Sequence, residues 1–281
     1  MGCVNPTDSS KPQIVLIPWD PNSLDHVERL IQQRISCGWD HEHVESWRKV
    51  QESGKLNNQW IVFADSDPDK DAKLLKHTEM YPQEKEPLVD SAISFWGKPR
   101  DIPSPQRTFT PIGHICLGLP SENYLNLGYV PKTGFYWISN FYVSRALQGT
   151  GLGKTAMDTV ENLAISKPLY AKTLGMNAIK KFDPEGEEKY KALDLIIPPF
   201  SNQEWYERRG YKAYKDVEKL FGPRVDPAGK SCDELNRRFR QPWIAIIIKL
   251  TLSLPIATPL ELILVAVQML VLHIEAFTSN E

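Results

Sequence analysis

The sequence predicts an α/β fold: one mixed, mostly antiparallel sheet flanked by helices, in the order β-α-α-β-β-β-α-β-α-β-β. Three observations lead there. Short apolar runs rich in β-branched residues, such as "QIVLIPW" (13–19), alternate with stretches of helical spacing, such as "SLDHVERLIQQRIS" (23–36). Several strand candidates follow one another with no helix between them, which excludes a repeated βαβ series. The composition, 41% hydrophobic and 24% charged over 281 residues, is that of a globular chain whose core needs no staple.

The elements follow in order. After a flexible leader (1–11) comes the first strand. The first helix sets Leu24, Val27, Leu30, Ile31 and Ile35 on one face, with Asn22 or Ser23 as its cap. "HVESWRKVQESG" (43–54) is a second helix ended by Gly54, and "QWIVFAD" (59–65) the next strand. Seven prolines (68, 82, 87, 99, 103, 105 and 111) among clustered charges then break the pattern. Residues 66–110 accordingly read as a polar, Pro-rich surface insertion in which only "SAISFW" is ordered. "PIGHICLGL" (111–119) and "TGFYWISNFYV" (133–143) are strands able to pair as a hairpin. A glycine loop, a helix from "GKTAMDTVENLAIS" (153–166) and the strand "AKTLGMNAI" (171–179) come next. A second polar insertion (180–199) precedes a short helix, "SNQEWYERR", stopped by Gly210. "YKAYKDVEKLF" and "WIAIIIKLTL" close the domain, which spans 12–252.

Charge and cysteine usage exclude several classes of function. A net charge of −2 and a pI near 6.3 offer nucleic acid no electrostatic footprint. The four cysteines are scattered without a C-x-x-C pair, which points to a reducing, intracellular compartment, cytoplasmic or nuclear, and not to disulfides or zinc. His41 and His43 flank Glu42 with no third ligand in sequence reach, so they read as a polar helix start and no metal site is assigned. No secretory signal opens the chain. Met1-Gly2-Cys3 resembles an acylated start, but Pro6 stands where myristoylation wants Ser or Thr. The apolar tail (253–281) nearly reaches membrane-spanning length over 260–277, although Glu261, Gln268, His273 and Glu275 interrupt it. A packing helix is the first reading of that tail and a membrane anchor the second.

"FYVSRALQGTGLGKTAMDTV" (141–160) carries the chemistry, and it admits two readings. Gly153-Lys154-Thr155 looks like the end of a P-loop. That motif, however, needs a glycine at position 148, where Gln148 stands, and Gly149 leaves the loop one residue short. Its magnesium carboxylate is also misplaced, since the best candidate, Asp65, precedes the loop. The second reading fits without adjustment. The strand "WISNFYV", the connection "SRAL" and the run Gln148-Gly149-Thr150-Gly151-Leu152-Gly153 ahead of a helix from Lys154 resemble motif A of the GNAT superfamily of N-acetyltransferases. Glycines allow a close backbone approach to a pyrophosphate, and loop N–H groups with the helix dipole hold its charge. Further on, "EWYERRGYK" (204–212) resembles motif B of the same superfamily, with Tyr206 at its tyrosine. One departure is that Pro199 stands where members often carry an asparagine for the pantetheine arm. Asn202 is displaced from that position, so the contact is not transferred to it.

The resemblance implies a GNAT-like sheet and direct transfer of an acetyl group from acetyl-CoA, as co-substrate, to an amine acceptor in a ternary complex. It implies coenzyme contacts at Phe141, Tyr142 and Val143, whose backbone polarises the thioester oxygen, and at Gln148, Gly149, Thr150, Gly151, Leu152, Gly153 and Lys154. Tyr206 takes the role of general acid for the departing thiolate. For the base, His114 is the nearest titratable candidate; the alternative is a water positioned by Ser139 and Asn140. Two other functions stay open at this point: a GNAT-like module that binds acyl-CoA without catalysis, and an NTPase using Gly153-Lys154-Thr155. Acceptor identity and oligomeric state are not legible in the residues.

Overall fold

Seven strands make one sheet in the computed structural model, which describes residues 11–120, 133–179, 199–217 and 243–249. They are β1 (Ile14–Pro18), β2 (Asn58–Phe63), β3 (Gly113–Gly118), β4 (Phe135–Val143), β5 (Thr173–Ile179), β6 (Lys212–Val217) and β7 (Trp243–Lys249). Their spatial order is β1-β2-β3-β4-β5-β7-β6. Every neighbouring pair is antiparallel except β4 and β5, which run parallel. The mixed, mostly antiparallel sheet expected from the sequence is therefore present, and the β3–β4 pairing is the expected one. All described residues fall in one unit of the chain, 1–249. The second insertion up to residue 198 and the apolar tail lie outside the described residues. Among the described residues, no helix is long and apolar enough to cross a membrane.

Helix α1 (Leu24–Cys37) starts at Ser23, whose hydroxyl accepts from the N–H of His26, and ends at Gly38 in the left-handed region. Helix α2 (Val44–Glu52) follows a single 3₁₀ turn over His41–His43. The two helices bury Val27, Leu30 and Val44 against Trp19, Trp60 and Val62. Ile61 and Phe63, which alternate with the last two, are also buried, so the strand is covered on both faces. Helix α4 (Leu152–Ile165) lays Leu152, Ala156, Met157, Val160 and Ala164 over β1, β3 and β4. Helix α5 (Asn202–Glu207) packs on β5 and β6.

Residues 66–110 correct the sequence reading: they are ordered well beyond "SAISFW". They contain helix α3 (Lys70–Met80), a paired strand couple at Leu88–Val89 and Thr108–Phe109, and a hairpin joining Ser94–Phe95 to Lys98–Pro99. The reason is physical. Only His77 of α3 is buried, and the helix is held by Lys73 on Asp67 at 2.9 Å and over the ring of Phe63. A helix docked through polar groups leaves no hydrophobic period to read. The hairpin turns through Trp96 (φ 54°) and Gly97 (φ 66°). Its tip is tied down where the Trp96 N–H donates to Asn57 Oδ1 at 3.0 Å and the indole meets Tyr136 edge-on.

At the other end of the sheet, β3 begins so close to the end of β4 that a side chain on Gly113 would run into the carbonyl oxygen of Tyr142. Gly113→Ala is therefore expected to destabilise the protein by about 1–3 kcal/mol, the usual range for forced overpacking. A denaturant midpoint unchanged from the parent would contradict the close approach.

Candidate functional site

Strand β4 changes course in its second half. His114 pairs with Tyr142 and Cys116 with Ser139, so two residues of β4, Asn140 and Phe141, face the single Ile115 of β3. This is a β-bulge, and Asn140 takes the left-handed conformation (φ 50°) that asparagine tolerates better than most residues. The β4–β5 ladder runs from Phe135↔Thr173 to Ile138↔Met176 and ends there, while β5 continues to Ile179 against β7. Two parallel strands whose ladder stops midway open a wedge. The segment Phe141–Val143 forms one wall of it, with its backbone groups on the β5 side clear of the ladder.

The wedge leads to the glycine loop. Ser144 and a 3₁₀ turn (Arg145–Leu147) bring the chain round, and Thr150 Oγ1 donates to the Leu147 carbonyl at 2.7 Å. Gly149 (φ 80°) and Gly151 (φ 84°) are both left-handed, and the added Cβ meets nothing within 4 Å at the first and only Pro12 at 3.8 Å at the second. Both positions need glycine for backbone conformation, and the space beside them is open. Gly151 is the N-cap of α4, with no side-chain cap. The first intrahelical bond runs from Thr155 N to Gly151 O, so the N–H groups of Leu152, Gly153 and Lys154 are presented at the positive end of a 14-residue helix. Gln148, Gly149, Thr150 and Gly151 are exposed, which leaves this end accessible to an anion.

The same geometry separates the two readings of the loop. In a P-loop the threonine hydroxyl serves magnesium, whereas Thr155 lies on the buried face of α4 and Lys154 is exposed. If backbone amides hold the anion, as the acetyltransferase reading expects, Lys154→Ala should change its binding only slightly. Tight magnesium-ATP binding that disappears in this variant would restore the NTPase reading.

Gly153 marks where three elements converge. A side chain there would contact Phe141 of β4 and Trp205 of α5, each at 3.8 Å, and the two rings lie 6.4 Å apart. Helix α5 is placed firmly. Ser201 and Glu204 form a reciprocal capping box at its start. Beyond its end, Arg209 binds Asp158 at 2.8 Å and Glu161 at 3.0 Å on α4, and Tyr211 Oη donates to Glu161 at 2.8 Å. Tyr206 is buried, with Trp205 edge-on at 4.9 Å and Tyr211 at 5.7 Å. Burial, the largest influence, pushes its phenol well above the ordinary value, so the hydroxyl stays protonated at neutral pH. Asn202 is the exposed first residue of α5.

His114 is placed differently from the sequence expectation. It is wholly buried, with Nδ1 2.9 Å from Gln33 Oε1 and Nε2 3.5 Å from Arg34 Nη1. Burial first, and the Arg34 charge second, hold it well below the usual histidine range. Nδ1–H donates to the glutamine and Nε2 accepts from the guanidinium, so no lone pair is left for a proton from an amine. The structure gives His114 a packing role and not that of base.

Ser139 and Asn140 do stand at the bulge. Ser139 hydrogen-bonds the buried Cys116, whose thiol burial pushes up to about 11, and Asn140 Nδ2 donates to Asn58 Oδ1 at 3.2 Å. Asn58, Cys116 and Trp205 escaped the sequence reading. Only Trp205, beside the motif tyrosine, carried a local signal. Asp40 supplies the third group near Glu42 and His43, with donor atoms within 4.8 Å of one another. It is already tied to Arg34 at 3.3 Å and His43 is exposed, so this cluster reads as the polar start of α2.

Residues 65–180 match the sequence profile of the Acetyltransferase (GNAT) family. The match takes in α3, the bulge, the glycine loop and β5, and it ends before α5 and Tyr206. No curated protein sequence matches the chain. Among solved structures it is similar to Arabidopsis thaliana NAA60 in complex with acetyl-CoA, at 11% identity and a TM-score of 0.43, covering 85% of this chain and 99% of that one. It is also similar to a spermidine N-acetyltransferase SpeG chimera from Vibrio cholerae and hSSAT, at 12% identity and 0.42, covering 84% and 95%. A third is an aminoglycoside 6'-N-acetyltransferase complexed with coenzyme A, at 11% and 0.40, covering 84% and 96%.

Proposed function

We propose that the chain, whose residues 65–180 match the Acetyltransferase (GNAT) family profile, transfers an acetyl group from acetyl-CoA to an amine by direct attack in a ternary complex. The observation that carries this reading is the convergence at Gly153 of Phe141, on the wall of the wedge beyond Ile138, the helix start at Gly151 and Trp205 of α5, the residue before Tyr206. An extended thiol arm fits between diverging strands, and a pyrophosphate fits the N–H groups of residues 152–154.

In this reading Phe141–Val143 present backbone N–H groups to the thioester oxygen as it gains negative charge. The neutral amine adds to the thioester carbon, the carbon–sulfur bond breaks, and the thiolate takes the proton of Tyr206 Oη. The proton of the attacking amine leaves through water held near Ser139, Asn140 and Asn58, since His114 is closed off, and a proton from solvent restores the Tyr206 hydroxyl. A second reading, an acyl-CoA-binding module without turnover, draws on the absence of any acid or histidine in "FYWISNFYV".

Calorimetric titration with acetyl-CoA and with magnesium-ATP tests the coenzyme, and thiol release over a panel of amines, polyamines and peptides tests turnover. Acetyl-CoA binding with thiol release on any amine supports the transferase. Binding with no release on any acceptor favours the module, and binding of ATP alone overturns both.

A further inference from the structure

Helix α3 places its one buried residue, His77, on Ser144, the residue that leads from β4 into the glycine loop. His77 Nδ1 lies 2.9 Å from Ser144 Oγ, and both residues are fully buried. The other ring nitrogen faces Glu84 Oε2 at 3.4 Å, and Glu84 is also fully buried. Gln33 of α1 donates to the same carboxylate oxygen at 2.7 Å and to the Pro111 carbonyl at 3.1 Å. With its proton on Nε2, toward the carboxylate, His77 accepts from the Ser144 hydroxyl through Nδ1. Ser144 is held a second time by its backbone N–H on the Ile112 carbonyl at 2.9 Å, and its own carbonyl accepts from Leu147 N at 2.9 Å. The chain that must carry three N–H groups to a pyrophosphate thus leaves β4 from a doubly fixed residue.

Stability alone does not account for this arrangement. Glu84 Oε1 and His77 Nε2 are buried without a hydrogen-bond partner of good geometry. A buried imidazole–carboxylate contact that is incompletely satisfied is a poor stabiliser beside an apolar pair of the same volume. What it supplies is direction: an imidazole bonded through Nδ1 to Ser144, with the Glu84 carboxylate 3.4 Å from its other nitrogen, has one ring orientation that meets both. An apolar contact would fill the space without fixing that hydroxyl.

We propose that His77 and Glu84 are positioning residues for the coenzyme loop, setting through Ser144 where the N–H groups of residues 152–154 stand. This rests on the acetyl-CoA reading above. It makes coenzyme affinity depend on residues 66–110, far from the loop in sequence.

The test is calorimetric titration of acetyl-CoA into the full-length protein, which needs no acceptor, with thermal melts recorded alongside. Ser144→Ala and His77→Phe are each expected to raise Kd about tenfold, the scale of a misplaced binding group. The double variant should be no weaker than the weaker single one, because both remove the same contact. His77→Asn, whose Oδ1 stands where Nδ1 stood, should recover much of the loss seen in His77→Phe. A purely structural role predicts lower melting temperatures with Kd unchanged well below them, and that result overturns the proposal. Additive losses in the double variant overturn it too. If His77→Phe does not fold, Ser144→Ala, which removes one oxygen, decides the matter alone. Failure of the parent protein to bind acetyl-CoA overturns the function proposed above and this inference with it. Binding by the parent with unchanged Kd in both single variants overturns this inference only.

Discussion

Tyr206→Phe is expected to lower kcat and kcat/KM together by about 10²- to 10⁴-fold, the range for loss of a general acid, while acetyl-CoA binding stays nearly unchanged. The ring is what packs: it meets Trp205 and Tyr211 edge-on, and phenylalanine keeps both contacts. In the proposed mechanism the hydroxyl is what reacts, and its effect strengthens only as the thiolate leaves, so both kinetic constants are expected to fall. Burial raises the phenol above its ordinary value, so the acid form persists across neutral and mildly alkaline pH. A tyrosine acid must be protonated to act, and so an alkaline decline caused by Tyr206 is expected only above about pH 10. Steady-state thiol release against pH, with an acceptor found by the amine panel, measures both effects. Parent-like turnover in the variant would make Tyr206 a packing residue and move the balance toward the non-catalytic module. A limb below pH 10 that vanishes with the hydroxyl would show that the bound complex lowers the phenol.

Gly151→Val is expected to weaken acetyl-CoA binding by tenfold or more, about 1.4 kcal/mol. Two causes add. At φ 84° a β-branched residue is strained whatever the surrounding space, so the loop shifts toward another conformation. The space beside Gly151 is open apart from Pro12 at 3.8 Å, so the valine methyls would stand in the approach to the proposed anion site. Gly151→Asn separates the causes, since asparagine tolerates the left-handed region but still occupies the approach. Relief in the Asn variant would assign the loss to backbone strain, and equal loss to occupancy. A folded Gly151→Val protein with parent-like affinity would remove the loop from the coenzyme site.

Motif spacing alone identified the loop. Gly149 and Gly151 sit at the two left-handed positions, and the helix start is one residue from the one read in the sequence, Leu152 in place of Gly153. The strands were legible because each combines β-branched residues with a local boundary, as "NQWIVF" does between Gly54 and the acidic run after Phe63. The capping choice between Asn22 and Ser23 needed coordinates, since either side chain could reach the helix start and only Ser23 accepts from His26 N.

By itself, then, the sequence determined what is carried by neighbours along the chain: the strand–loop–helix around the glycine loop, the short aromatic helix with Tyr206, and the order of the main elements. Only the tertiary structure decided what depends on contacts between distant residues. The role of His114 turned on Gln33 and Arg34, 81 and 80 positions away, which close both ring nitrogens. The bulge at Asn140 is a mismatch of register between two strands, invisible in either one. The order within 66–110 came from buried polar partners, His77, Glu84 and Asp90, whose side chains look like surface residues until their counterparts are found. Hydrophobic periodicity records burial of apolar groups against any core, whereas a buried hydrogen bond has a single partner, and only the fold says which residue that is.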